Sequence, residues 1–516
     1  MSATENTPSV PPLPLSRLRF VTHVGWNLLA TLGTLGSTFL SNVVLANLLG
    51  RSPFGAYAMM LSTIHAIVGL ATLGLGYAAT RFTAEWRNSD PDRAGRMIGL
   101  TGRLAMVAGT VAAVLFFALA GVIADRVFAT PSLAAPLRWA SPAVFCLVVN
   151  GFQTGALAGL ERFDRLGLAG LLGGTVYFLL CVGGGLVGGA NGAVAGVALS
   201  AALQAVLLRW LLVRSVRDAG LTVTSAAWTT EREVFLHWVV PNLMGGLSSV
   251  PALWAAQAAL ARTSGGYSQL GVYVAALNLA MMVVLVPTVV NGVGIAVLNN
   301  ARHADGGRRF EQVYSVNLRV TFLCAGAAAG LFGLLSARLL GLYGADFRAY
   351  EVVLKVLLVA AVAESLTIAL SQRVQSQSRV WRALALVNIP RDLAIPLLAW
   401  WWAPSLGALG VAWAYLCGRL IGLAGTAVCG WLPRREARRV AAARRSFCAA
   451  RSAATPMANP TASSATPTAS SATSRAVPKA ARSLKRTSSK PCAPNSIATC
   501  RQGSPPSATA PSPPKM

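Results

Sequence analysis

The chain has 516 residues, 54% hydrophobic and only 12% charged, with 49 glycines, a mean hydropathy of +0.56 and a formal net charge of +27. That balance excludes an ordinary soluble domain and points to an integral membrane protein, because apolar windows of about 20 residues recur and about 20 helical residues cross the hydrocarbon layer. In lipid the backbone must satisfy its own hydrogen bonds, so the spans are expected to be helices.

In chain order, residues 1–20 read as a proline-rich cytoplasmic arm without the apolar run of a signal peptide. Twelve spans follow, at 23–49, 54–79, 97–123, 134–160, 166–189, 193–213, 235–260, 270–297, 314–340, 349–372, 381–402 and 406–431. An N-lobe (21–215, spans one to six), a cytoplasmic linker (216–233) and a C-lobe (234–431, spans seven to twelve) are expected, then a basic tail (432–516). The tail is rich in Ala, Ser, Thr and Pro, carries 15 Lys/Arg from 434 onward against the single acid Glu436, and lacks the apolar content to build a core; it reads as disordered.

Short loops rich in Lys/Arg stay cytoplasmic. One set of connections holds 17 arginines (17, 19, 81, 87, 93, 96, 162, 165, 214, 217, 232, 302, 308, 309, 373, 379 and 382); the alternate set holds 5 (51, 126, 262, 338 and 348). Both termini are therefore expected in the cytoplasm. This bias and the tail explain the net charge without a nucleic-acid partner.

The halves repeat. "FGAYAMML" (54–61) matches "LGVYVAAL" (270–277), pairing Gly55 with Gly271 and Tyr57 with Tyr273; Arg138 pairs with Lys355, Arg162 with Arg379 and Arg165 with Arg382; "AVAGVA" (193–198) matches "GALGVA" (407–412). The offsets are 216, 217 and 214, and each half holds six spans in the same orientation. The predicted class is therefore all-α and membrane-embedded, with two six-helix lobes related by a parallel repeat and a cavity between them.

Polar residues inside the spans mark what lines that cavity. Span one carries Asn27, Thr31, Thr34, Thr38 and Asn42 on one helical face; span seven carries Asn242 and Ser249, and span eight Asn278 and Asn291. Such a stripe faces water or a neighbouring helix, because facing lipid is costly. Charges are rarer still. Arg391 and Asp392 stand in "NIPRDLAIP" near the middle of span eleven, Glu364 in span ten, Arg419 in span twelve and His65 in span two. An unpaired charge at the bilayer centre costs roughly 2.5–3.5 kcal/mol on insertion scales, so each needs a partner or water. Pro390 and Pro396 loosen the helix around Arg391.

No P-loop, H-E-x-x-H or G-x-S-x-G motif accompanies these residues in the spans, the cysteines form no C-x-x-C pair, and "GGGLVG" (183–188) lacks a βαβ context. Neither an enzyme, a metal nor a cofactor is expected.

"LLGRSPFGAYAMMLS" (48–62), "LGLGYAATRFTAEW" (73–86) and the P-x-x-G-A-L-G-V-A run from Pro404 together resemble the polysaccharide transporter branch of the multidrug/oligosaccharidyl-lipid/polysaccharide (MOP) exporter superfamily, over about residues 20–431. The resemblance implies a bacterial inner-membrane flippase. Its cargo would be an undecaprenyl-diphosphate-linked oligosaccharide for O-antigen, lipopolysaccharide or exopolysaccharide synthesis, moved to the periplasmic leaflet by alternating access, with glycan polymerase machinery as a further partner. It also implies a cationic cavity holding the diphosphate, and Arg51 matches a basic position of the motif. Guanidinium forks suit phosphate oxygens. Arg391, Arg419, Arg138, Lys355, Arg51, Asn27, Asn42 and Asn242 are accordingly the candidate cargo ligands, and Asp392, Glu364 and His65 the candidate counter-charges or coupling-ion sites. A cation-coupled multidrug exporter of the same superfamily and a polytopic glycan polymerase or acyltransferase are the alternatives. The first predicts a cavity dominated by acids, and the second a large external loop.

Overall fold

The computed structural model describes residues 15–72, 74–224, 249–302, 308–375 and 384–453. These are helical nearly throughout and hold no strand. The helices of the first half are α1 (Leu15–Leu49), α2 (Arg51–Ala71), α3 (Leu75–Trp86), α4 (Pro91–Val122), α5 (Ala134–Trp139), α6 (Ser141–Gly159) and α7 (Phe163–Asp218). Those of the second half are α8 (Ser249–Ala261), α9 (Gly266–Arg302), α10 (Arg308–Leu334), α11 (Ser336–Gly341), α12 (Glu351–Gln375), α13 (Ile389–Leu406) and α14 (Ala408–Ala453).

Among the described residues, nine helices are long and apolar enough to cross a membrane. One of them, α7, is two helices joined by a reversal at Gly188 and Gly189; a Cβ on Gly184 would lie 2.1 Å from the Gly192 carbonyl oxygen, and one on Gly196 2.0 Å from that of Leu180. Expected spans five and six are therefore the arms of one glycine-lined hairpin. Spans seven and eleven fall partly outside the described residues, which hold 249–260 and 384–402 of them, so the expected count of twelve is not reached among the described residues. Span two ends earlier than expected. Its helix stops at Ala71, Gly74 takes left-handed φ/ψ, and α3 restarts as a separate segment. The last helix runs on through the arginines after 431 to Ala453, where a disordered tail was expected; Ala and Arg are good helix formers and no glycine intervenes. Residues 454–516 lie outside the described set.

The lipid-facing surface is visible in the exposures. Along α4, Val107 and Val114 are each 62% exposed and Met106, Val111, Leu115 and Phe117 are exposed beside them, a band that only an apolar solvent accommodates. At the start of α4 the Asp90 carboxylate accepts the Arg93 amide at 3.0 Å and Pro91 occupies the first turn, so the helix is capped where it leaves the loop.

The repeat is written in backbone geometry. Gly189 (φ 60°, ψ −142°) and Gly407 (φ 56°, ψ −132°) adopt nearly the same conformation, one that side chains resist, at the two reversals. Three residues beyond each, a glycine packs on the carbonyl eight residues before it: a Cβ on Gly192 would lie 2.0 Å from the Gly184 carbonyl oxygen, and one on Gly410 2.5 Å from that of Trp402. The structural offset here is 218, not the 214 read from the small-residue strings. Repeated Ala, Gly and Val can be slid by a helical turn without loss of similarity, whereas a reversal cannot.

Within the N-lobe, α1 lies along α7 through small residues, with Gly33, Gly170 and Gly174 in backbone contact. The lobes meet through α2. A Cβ on Gly55 would lie 1.8 Å from the Tyr267 carbonyl oxygen, and one on its repeat partner Gly271 2.4 Å from that of Arg51. Around this crossing the Asn47 amide donates to the Leu342 carbonyl, Tyr267 donates to Thr130 at 3.2 Å, and Phe39 and Phe54 pack on Tyr343. The bundle is thus closed at the end that holds the 49–51 turn. Deeper along α2, the Trp254 indole N–H of α8 donates to Thr63 at 3.0 Å, and Val250 sits over Gly69.

Candidate functional site

Two ion pairs stand inside the C-lobe. Arg391 and Asp392 are neighbours on α13, and their side chains bond to each other: Nε donates to Oδ1 at 2.7 Å and Nη2 to Oδ2 at 3.1 Å. Ser249 of α8 closes the group, donating its hydroxyl to Oδ2 at 2.9 Å and accepting from Nη2. Space for the arginine stem comes from α14, where Gly422 faces Arg391 Cδ and Gly418 faces Ile395 and the Arg391 carbonyl. The pair therefore lies between three helices, with 13% of the Arg391 side chain and 4% of that of Asp392 accessible. An approaching ligand reaches the cation, not the anion.

The second pair joins α12 to α14. Arg419 Nη1 lies 3.1 Å from Glu364 Oε1, the Tyr415 hydroxyl donates to Oε2 at 3.0 Å, and Arg419 Nη2 donates to Tyr415 at 2.6 Å. Tyr415 is one helical turn before Arg419 on α14, so the arginine folds over its ring. Among the described residues the buried Tyr273 hydroxyl and Arg419 Nε have no hydrogen-bond partner, and Tyr273 stands in the electrostatic surroundings of this pair. Each arginine in the C-lobe interior is thus matched by one acid, which is how the lobe meets the cost of charges at membrane depth.

The other candidates do not join these groups. Arg138 is exposed at the end of α5, against Gly121, and Lys355 is exposed one turn into α12, 3.1 Å from Glu351. The 217-residue register that pairs them places both beside the short helical turns that precede α6 and α12. Arg51 begins α2 at the closed crossing, where Nη1 donates to Tyr350 at 3.0 Å. His65 is exposed on α2, two residues from Thr63. Asn42 is buried near the α1 end of the crossing. Thr34 and Thr38 of the polar stripe bond back to carbonyls one turn earlier in α1, and the small residues that pack on α7 form the adjacent stripe. The Asn27 side chain and all of Asn242 lie outside the described residues.

Sequence reasoning placed Ser249 on a polar face but did not join it to Arg391, because the contact spans 142 residues. Tyr415 carried a legible signal in its one-turn spacing from Arg419. Tyr350 carried none. Among the described residues no three His, Cys, Asp or Glu side chains converge as metal ligands would, and no disulfide joins Cys146, Cys181, Cys324, Cys417 or Cys429.

At the same positions of the N-lobe the chemistry is neutral. Tyr57, the repeat partner of Tyr273, lies 3.3 Å from the Tyr177 hydroxyl and 3.3 Å from the Cys181 sulfur. Ion pairs of the N-lobe sit instead at helix ends, where Arg165 binds Ser215 and Asp218 and Arg87 lies 2.6 Å from Glu161.

Comparison with known proteins agrees with this architecture. The family model for polysaccharide biosynthesis proteins matches residues 20–295. An inward-facing multidrug resistance MATE transporter of the MOP superfamily superposes with a TM-score of 0.69 at 18% identity, covering 82% of this chain and 99% of that one. An outward-facing MATE structure gives 0.60 at 18% identity, with 81% and 95% covered. A MOP transporter from Pyrococcus furiosus with reversed pocket polarity gives 0.61 at 19% identity, also covering 81% and 95%. No curated protein matches the chain. The family match identifies the chain as a member of the polysaccharide biosynthesis protein family, and its repeated lobes and membrane-spanning helices give it the fold seen in the MOP superfamily transporters it resembles.

Proposed function

We propose that the protein is a flippase for lipid-linked oligosaccharide or polysaccharide precursors, carrying an undecaprenyl-diphosphate-linked head group from the cytoplasmic to the periplasmic leaflet of a bacterial inner membrane by alternating access. The observation that carries this reading is the Arg391 guanidinium, held in the C-lobe interior with its cationic side more accessible than its acidic partner. It is supported by membership of a polysaccharide biosynthesis family rather than by the fold, which drug exporters share.

A diphosphate is a doubly charged, bidentate acceptor, and an arginine fork is its geometric complement. Arg391 and Arg419 are the proposed cargo ligands, with Asp392 and Glu364 neutralising them while the cavity is empty. Arg51 belongs in this scheme to the outer closure, since the positive-inside pattern assigns the 49–51 turn to the periplasmic side.

A cation-coupled drug exporter is the second reading, supported by the fold shared with MATE transporters, although the two interior pairs balance two acids against two bases where that reading predicts acids in excess. Cells whose surface glycan depends on this chain separate the two. Arg391→Ala is expected to abolish glycan export while the protein still inserts in the membrane. Normal export in that variant would remove Arg391 from the mechanism.

A further inference from the structure

The Arg391 guanidinium has two usable edges. Asp392 takes the side edge, with Nε and Nη2 each donating to one carboxylate oxygen. The end-on edge is the fork formed by Nη1 and the second N–H of Nη2. Of that fork, Nη2 is engaged by the Ser249 hydroxyl, whereas Nη1 has no hydrogen-bond partner among the described residues. Ser249 in turn donates its proton to Asp392 Oδ2, so its lone pairs are fixed toward the arginine and its position is tied to both charges.

From this we infer that Ser249 is a specificity-determining residue that caps the end-on fork of Arg391, so that a ligand must displace a hydroxyl to bind in two-pronged fashion. The inference rests on the reading of Arg391 as a cargo ligand. A singly charged, one-pronged anion gains only Nη1 and leaves the cap in place. A phosphate or diphosphate replaces a neutral hydroxyl acceptor with a charged oxygen, and charge-assisted bonds are roughly twice as strong as neutral ones. Arg391 then bridges Asp392 on one edge and phosphate on the other, and need not leave its slot against Gly422. Ser249 stands at the first turn of the described part of α8, so displacement of its hydroxyl also loosens the two described side-chain hydrogen bonds between α8 and α13.

The sign of the effect distinguishes a cap from a structural residue. A cap that is removed lets the anion bind more tightly; a ligand or a packing residue that is removed weakens binding. The test is calorimetric titration of inorganic pyrophosphate into the purified full-length protein in detergent, at fixed pH and salt. Wild type is expected to bind, and Arg391→Ala to bind at least tenfold more weakly. Ser249→Ala is expected to bind about fivefold more tightly, the equivalent of one neutral hydrogen bond no longer displaced. Ser249→Thr, which keeps the hydroxyl, should match wild type, and Ser249→Asp, which fills the fork with a carboxylate, should not bind. Binding that depends on Arg391 but is unchanged or weakened in Ser249→Ala overturns the cap while sparing the Arg391 reading. Pyrophosphate that fails to bind wild type, or that binds Arg391→Ala equally well, overturns the Arg391 reading and the cap with it.

Discussion

The two lobes share a backbone plan and differ in what they place at its centre. Gly189 and Gly407 turn the chain in the same way, and Tyr57 and Tyr273 occupy equivalent positions. Around Tyr57 stand another tyrosine and a cysteine; around Tyr273 stand Glu364, Tyr415 and Arg419, with Arg391, Asp392 and Ser249 in the same lobe. A repeat that served only to build a bundle would give both lobes the cheaper neutral interior. The C-lobe instead holds four charges whose insertion requires pairing. The difference teaches that the scaffold is symmetric while the chemistry is assigned to one side.

The largest effect that would break this comparison comes from unpairing the C-lobe charges. Arg391→Ala leaves Asp392 buried without its main partner and should cost roughly 3–5 kcal/mol, read as a lowered midpoint in thermal unfolding of the detergent-solubilised protein. The double variant Arg391→Met with Asp392→Asn should recover most of that stability and none of the transport. If stability and transport returned together, the pair would be a packing device.

Next in size, Gly55→Leu and Gly271→Leu should produce the same phenotype from opposite lobes, because each places a side chain into the backbone of the other lobe's helix. With Cys at 47 and 342 in a cysteine-free background, oxidative cross-linking should be efficient without either substitution and fall severalfold with each. Unequal responses would show that the crossing is not built on the repeat.

The smallest change is expected for Tyr57→Phe, which removes a neutral hydroxyl from the N-lobe cluster. A cost of about 1 kcal/mol in stability is expected, with transport kept within about twofold. A transport loss as large as that of Arg391→Ala would dissolve the contrast between the lobes.

The all-α membrane class and the parallel repeat were legible because lipid leaves few alternatives: long apolar windows must be helices. The details that escaped were those set by single backbone conformations. Gly74 cuts span two short, and the Gly189 and Gly407 reversals set the register of the second hairpin at 218, where repeated small residues suggested 214. At the site, the charges were visible one by one, since any Arg, Asp or Glu in an apolar span is conspicuous. Their pairing was half visible: Arg391 with Asp392 are adjacent, whereas Arg419 with Glu364 are 55 residues apart and Ser249 with Arg391 142. Arg138 and Lys355 were drawn in by sign alone. Both stand exposed beside short helical turns, away from the interior pairs.

The most direct test is reconstitution of the purified protein in proteoliposomes, comparing translocation of an undecaprenyl-diphosphate-linked oligosaccharide with efflux of a lipophilic cation for wild type, Arg391→Ala and Tyr57→Phe. The account predicts that wild type and Tyr57→Phe translocate the lipid-linked glycan, that Arg391→Ala does not, and that none of them exports the cation. Cation efflux by wild type without glycan translocation, or glycan translocation undiminished in Arg391→Ala, would contradict it.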